Sequence, residues 1–264
     1  MSGGSRPHIH WQPLLSELVG TALLVLVGLS LVILMFGDGS PITRTLPDAA
    51  IRRLITGFLF GTTGALIALS PVGKESGAHI NPVVTLAFWL MGKLDARVAV
   101  GYVLAQLAGA TVGALPLLVW GSMGRSVAFG ATLPGEGYGV PTVLAGEVVA
   151  TFALIVGLSV FLGFRRLRPF TPALFPFLYA VMVWAEAPIS GTSTNPARSL
   201  GPAIISGQSQ GFWIYGVGPL IGTLAAVLAA SFLAKRIAVA KLYHFDSDRH
   251  RMFQRVRPSD HQRT

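Results

Sequence analysis

Apolar residues run through this chain in long blocks rather than in alternation. Six blocks stand out, at 14–36, 51–69, 98–120, 143–164, 172–187 and 212–234, the fifth short and interrupted near its end by Glu186. About 20 apolar residues in helical conformation cross a hydrocarbon layer of about 30 Å, and none of the blocks has the period-two pattern of a barrel strand. Two further apolar stretches, Pro82–Leu90 and 196–204, hold nine residues each. Each predicts a helix of only about 13 Å, so two stacked end to end reach about 27 Å. An Asn-Pro pair opens both stretches, and Asn caps a helix while proline suits its first position. The Ser-Gly-x-x-x before each pair reads as extended backbone, which membrane depth tolerates only inside protein or beside a wet cavity. The pattern predicts an all-α integral membrane protein with six transmembrane helices plus two re-entrant half-helices.

The chain also repeats itself. The segment from Ser76 to Pro82, Ser-Gly-Ala-His-Ile-Asn-Pro, is echoed 114 residues later from Ser190 to Pro196, Ser-Gly-Thr-Ser-Thr-Asn-Pro. Glu17, Val19, Thr21 and Leu24 recur 130 residues on as Glu147, Val149, Thr151 and Leu154. Tyr102, Leu107 and Gly109 recur 113 residues on as Tyr215, Leu220 and Gly222. Three spans per half is an odd number, so the second half inserts inverted relative to the first. Such an inverted repeat places its functional site near the membrane midplane, where the halves meet. The expected divisions are an N-terminal segment 1–13, a channel-like domain 14–234 (repeats about 14–120 and 143–234) and a basic tail 235–264.

Composition agrees with a membrane fold. Of 264 residues 52% are hydrophobic and only 12% charged, about half the charge of an ordinary soluble domain. The net charge of +9 would suit nucleic acid in a soluble protein, but here the basic residues flank the apolar blocks. With both termini inside, 15 basic residues fall on the inner side and 5 on the outer. That bias predicts cytoplasmic termini in a multi-pass protein of the cell (plasma or inner) membrane, with no nucleic-acid partner. The first block is too long for a signal-peptide core and is read as a retained span. With no cysteine, disulfides, thiolate metal sites and cysteine catalysis are excluded. His79 has no cluster of partners, so neither a metal nor a cofactor is expected.

Paired Asn-Pro boxes in inverted halves, Asn195-Pro196-Ala197-Arg198-Ser199 in the second, and a Glu in the first helix of each half resemble the aquaporin (major intrinsic protein) family. Tyr102-x-x-Ala105-Gln106-x-x-Gly109-Ala110 and Trp213-Ile214-Tyr215-x-Val217-Gly218-Pro219 are similar to that family's third and sixth helices. The first box departs from the usual form, reading Asn81-Pro82-Val83. The resemblance implies a passive channel, no enzyme, and a homotetramer with one pore per subunit. It implies a selectivity filter of Phe60, Val183, Thr192 and Arg198. Counting from Asn81 alone points to Gly61; one extra residue near Pro71 shifts the position to Phe60, whose Phe-Gly pair matches the family. Valine at 183 departs from the histidine of strict water filters, whereas Ser199 looks like the water branch rather than the glycerol branch.

The residues suggest their own chemistry. Two half-helix N-termini aimed at the midplane focus positive dipole ends there. Asn81 and Asn195 offer amide donors to a passing oxygen, so the permeant is small, neutral and oxygen-bearing: water, with small neutral solutes open. The loop backbone at Gly77, Ala78, His79, Gly191 and Ser193 is expected to line the pore. Glu17 and Glu147 are expected to accept hydrogen bonds from that backbone, and His79 to brace it. Two alternatives stand beside this reading: a glycerol, urea or ammonia facilitator of the same family, and a secondary transporter, since inverted repeats serve transporters too. An intramembrane serine protease needs a serine–histidine pair in the helices, yet the only histidine near the core is His79; the others lie in the termini.

Overall fold

The structure, a computed structural model, describes residues 10–237 and 241. The expectations resting on Arg6 and on Arg249, Arg251, Arg255, Arg257 and Arg263 of the tail lie outside the described residues. The architecture is carried by α1 (Trp11–Phe36), α2 (Ala49–Leu69), α3 (Pro82–Leu90), α4 (Ala96–Ala114), α5 (Val140–Gly163), α6 (Thr171–Ser190), α7 (Pro196–Ser206) and α8 (Ile214–Ala229). The order of α1 to α4 is repeated by α5 to α8. Two full spans, then a half-helix, then a third span make up each set.

Element ends differ from the hydrophobic blocks where a local device overrides hydropathy. The third span leaves α-helical geometry at Ala114 and tightens into a 3-10 turn, Leu115–Trp120, because Pro116 lacks the amide that would continue the ladder. Conversely α6 runs past Glu186 and Pro188 to Ser190. Glu186 is buried with one carboxyl oxygen beside the Ser190 hydroxyl, so the acid is taken inside the bundle instead of ending the span. Gly191, at φ 87°, stops the helix in the left-handed conformation that glycine adopts without penalty. The second half-helix extends two residues further than its apolar stretch. At 9 and 11 residues, α3 and α7 together reach about 30 Å, the thickness of the hydrocarbon layer. The last span is short at 16 residues and is followed by a separate turn, Ser231–Ala234.

Small residues let the long helices touch backbone to backbone. Any Cβ on Gly109 of α4 would lie 2.2 Å from the Leu18 carbonyl oxygen of α1, and one on Gly113 would lie 2.3 Å from that of Ala22. The second half repeats the device, Gly222 of α8 standing where a Cβ would be 2.5 Å from the Val148 carbonyl oxygen of α5. Without water between helices to expel, such close packing is what drives their association. Across the halves α2 lies against α6, α3 against α8 and α7 against α4. Large apolar side chains such as Leu104, Val149, Phe177 and Leu228 point outward, each more than half exposed, whereas Glu17, Asn81, Gln106, Glu147 and Asn195 are buried. Polar inside and apolar outside suits a hydrocarbon solvent.

Candidate functional site

The two Asn-Pro boxes cap the half-helices and hold them to each other. Asn81 Oδ1 accepts from the Val83 amide at 3.0 Å. Asn195 Oδ1 accepts from the Ala197 and Arg198 amides at 3.1 and 3.2 Å. Pro82 and Pro196 occupy the first helical positions, where a missing amide costs nothing. With each oxygen spent on a cap, each side-chain nitrogen faces the opposite half. Asn81 Nδ2 donates to the Thr194 carbonyl and Asn195 Nδ2 to the Ile80 carbonyl, both at 2.9 Å. This reciprocal pair brings the two helix N-termini together. A primary amide carries two hydrogens, so one N–H per asparagine remains beyond the cross-bond.

The loops that deliver these residues are strained in parallel. In the first, Gly77, Ala78 and Ile80 have φ of 94°, 54° and 42°. In the second, Gly191, Thr192 and Thr194 have φ of 87°, 52° and 47°. Left-handed backbone at a residue other than glycine costs roughly 1–3 kcal/mol, and three of these four are β-branched. The His79, Ile80, Ser193 and Thr194 amides of these loops are held by the two buried acids. Glu17 Oε1 accepts from Ser76 Oγ at 2.6 Å and the His79 amide at 2.9 Å, and Oε2 from the Ile80 amide and Gln106 Nε2, both at 2.7 Å. Glu147 Oε1 accepts from Ser190 Oγ at 2.6 Å and the Ser193 amide at 2.7 Å, and Oε2 from the Thr194 amide at 2.9 Å. Charge-assisted bonds of this kind are the stronger class, which is how two unusual loop conformations persist. The His79 ring joins the first loop to α3 through Thr85 Oγ1 at 3.0 Å and stacks on Phe88 with centroids 4.8 Å apart.

Two cavities meet at Phe60 and Tyr179, and the asparagines line one of them. The smaller, of about 40 Å³, is lined by His79, Ile80, Asn81, Val84, Asn195 and aromatic and aliphatic side chains from α1, α2, α5 and α6. One water needs about 10–15 Å³, so this space is large enough to admit water. The larger, of about 320 Å³, is lined by Phe60, Val183, Gly191, Thr192 and Arg198 among others. All four residues of the expected filter therefore border one cavity. Val83 lines neither, while its neighbour Val84 lines the smaller. Arg198 is buried; it donates from Nη1 to the Gly130 carbonyl at 3.0 Å, and its guanidinium carbon lies 5.9 Å from the Phe60 ring centre. Arg53 joins it in the wall of the larger cavity, and among the described residues no acidic one lines that cavity. Gly61 lines the smaller cavity, and a Cβ there would meet the Phe175 carbonyl oxygen of α6 at 2.3 Å.

Several members of the site carry roles that the sequence does not reveal. Tyr102 and Tyr215 donate to the Ser76 and Ser190 carbonyls at 2.7 and 2.9 Å; their recurrence in the repeat is the available signal. Ser76 and Ser190, donors to the two acids, repeat at the same offset as the boxes. Gln106 bridges Glu17 and Thr85, and its counterpart in α8 is Pro219, so no repeat marks it. Tyr179, whose hydroxyl lies 3.0 Å from Thr194 Oγ1, belongs to none of the repeated blocks and is equally unmarked.

A bundle of spanning helices with two half-helices meeting at capped asparagines, and a cavity on either side of an aromatic pair, has the build of a multi-pass membrane channel. The family model described as major intrinsic protein matches residues 5–230. Aquaporin NIP1-1 of Zea mays is 34% identical over 224 residues, covering 84% of this chain and 74% of the relative. The lens fiber major intrinsic protein of Gallus gallus is 32% identical, with 88% and 87% covered. A probable aquaporin AqpM of Archaeoglobus fulgidus is 33% identical, with 83% and 96% covered. An X-ray structure of the aquaglyceroporin from Plasmodium falciparum shares the fold at a TM-score of 0.65 and 17% identity, over 85% of this chain and 95% of that one. The chain belongs to the major intrinsic protein family, and it is a membrane channel rather than an enzyme.

Proposed function

We propose that the channel conducts water and small neutral solutes while excluding protons and ions. The observation that carries this reading is the reciprocal pair Asn81 to Thr194 and Asn195 to Ile80, which leaves one amide hydrogen on each asparagine beside the smaller cavity. A water accepting from both spends its lone pairs at the midplane and donates outward to its neighbours on either side. Proton hopping needs each water to accept from one neighbour and donate to the next, so the relay is broken there. The two half-helix N-termini add a positive potential that opposes cations and protons alike. Arg198 and Arg53 in the wall of the larger cavity extend that potential outward.

Phe60, Val183, Thr192 and Arg198 form the filter in this reading, with the backbone of Gly77, Ala78, His79, Gly191 and Ser193 supplying pore-facing carbonyls. A wider pass band that includes urea, glycerol or ammonia is favoured by one observation. Val183 borders the larger cavity with no hydrogen-bonding group, so the opening is less polar than one bounded by histidine. The domain limits of 14–234, the cytoplasmic termini, the cell-membrane location and the homotetramer belong to the same proposal. Stopped-flow shrinkage of proteoliposomes under sucrose, urea and glycerol gradients tests it. Water permeability well above empty vesicles supports the channel reading; a saturable, ion-coupled uptake supports a transporter.

A further inference from the structure

We infer that Tyr179 and Phe60 form a second constriction, inward of Val183, and that this aromatic pair sets the upper size of the permeant. The inference rests on the channel reading above. Phe60 and Tyr179 line both the larger cavity and the smaller one, whereas Val183, Thr192 and Arg198 line only the larger. A permeant moving between the two cavities must therefore pass these two rings. Their centroids are 5.7 Å apart with planes inclined at 33°. Tyr179 precedes Val183 by four residues, about one helical turn, so the pair lies between the filter and the asparagines.

Both rings are fixed in place. A Cβ on Gly57 of α2 would stand 2.2 Å from the Tyr179 carbonyl oxygen, so glycine there draws α2 and α6 together at the level of the pair. The Phe60 ring is seated over Gly28 of α1, where a Cβ would come within 2.4 Å of the ring, and it has no room to retreat. The Tyr179 hydroxyl is tied to Thr194 Oγ1 at 3.0 Å, and the Thr194 carbonyl accepts from Asn81. The ring of Tyr179 is thus anchored to the same loop that holds the asparagine junction. A side wall of two aromatic faces offers a passing solute no hydrogen bond, so a solute bulkier than water must shed more of its hydration there.

The test is the ratio of urea or glycerol permeability to water permeability in the same proteoliposomes, which is independent of how much protein is folded and inserted. Tyr179→Val removes the ring and should raise the ratio about tenfold, the scale on which a change of a few heavy atoms alters discrimination. Tyr179→Phe keeps the ring but frees it from Thr194, and should raise the ratio by a smaller factor of about two to five. If Tyr179→Val does not insert, the Tyr179→Phe ratio decides alone. A wild type that conducts water while both variants keep its ratio overturns the constriction and leaves the channel reading standing. A wild type with no water permeability above empty vesicles overturns the channel reading itself, and the constriction with it.

Discussion

Replacing Glu17 by glutamine changes one atom and should unsettle the whole first loop. Both carboxylate oxygens act only as acceptors, for Ser76 Oγ and the His79 amide on one side and the Ile80 amide and Gln106 Nε2 on the other. In Glu17→Gln the new side chain's oxygen can serve one pair; its NH2 group then faces donors on the other. With that nitrogen toward Ile80, Gln106 can turn its own oxygen, which has no partner in the wild type, toward the new donor. The Ile80 amide has no such escape. Leaving it unpaired and buried costs about 1–3 kcal/mol, and two remaining bonds fall from charge-assisted to neutral at about 1 kcal/mol each. The sum is about 3–5 kcal/mol, borne by a loop already strained at Ala78 and Ile80. For a chain of this size that corresponds to a fall in Tm on the order of 10 °C. Thermal unfolding followed by tryptophan fluorescence in detergent measures it, and water flux per inserted protein should fall in parallel. A Tm within about 2 °C of wild type, well below the shift expected for a chain of this size, with unchanged flux would refute the claim that Glu17 holds the loop.

Two further outcomes follow from the same geometry. Asn195→Asp should impair the channel more than Asn195→Ser, because serine still caps α7 whereas an ionised aspartate puts negative charge at the junction; equal water flux and equal ion exclusion in the two variants, read by stopped flow and by a pH-sensitive dye in the lumen, would count against the asparagine as a barrier element. Gly28→Ala should push the Phe60 ring toward Tyr179 and lower the urea-to-water permeability ratio, the opposite sign to Tyr179→Val; an unchanged or raised ratio would show that the ring has room to move elsewhere.

Much of this molecule is legible in its sequence because the membrane limits the choices. Block length against bilayer thickness separates spans from half-helices, and α3 falls on Pro82–Leu90 as the apolar stretch has it. The repeat identifies the boxes, the two acids and their serine and tyrosine partners as pairs. What stays hidden is of two kinds. Glu186 looks like a helix end because hydropathy counts a carboxyl as solvent-facing, whereas here it is buried beside the Ser190 hydroxyl inside the bundle. Contacts to backbone leave no side-chain signature at all. Arg198 is held by the Gly130 carbonyl, presented by a turn with φ of 47° at Ala128 and 53° at Phe129, and nothing in those residue types announces it. Tyr179 escapes notice for a related reason: its ring matters through its position between two cavities, and it belongs to none of the repeated blocks.

The central claim is that paired asparagine donors pass water and stop protons at one junction. The most direct measurement is osmotic water permeability and proton flux recorded on the same proteoliposome preparation, the first from light scattering after a sucrose jump and the second from a pH-sensitive dye in the lumen under an imposed potential. Water permeability is expected to be many times that of empty vesicles, with a low activation energy, alongside proton flux equal to the empty-vesicle background. Proton flux that rises with the amount of inserted protein, in step with water flux, would contradict it.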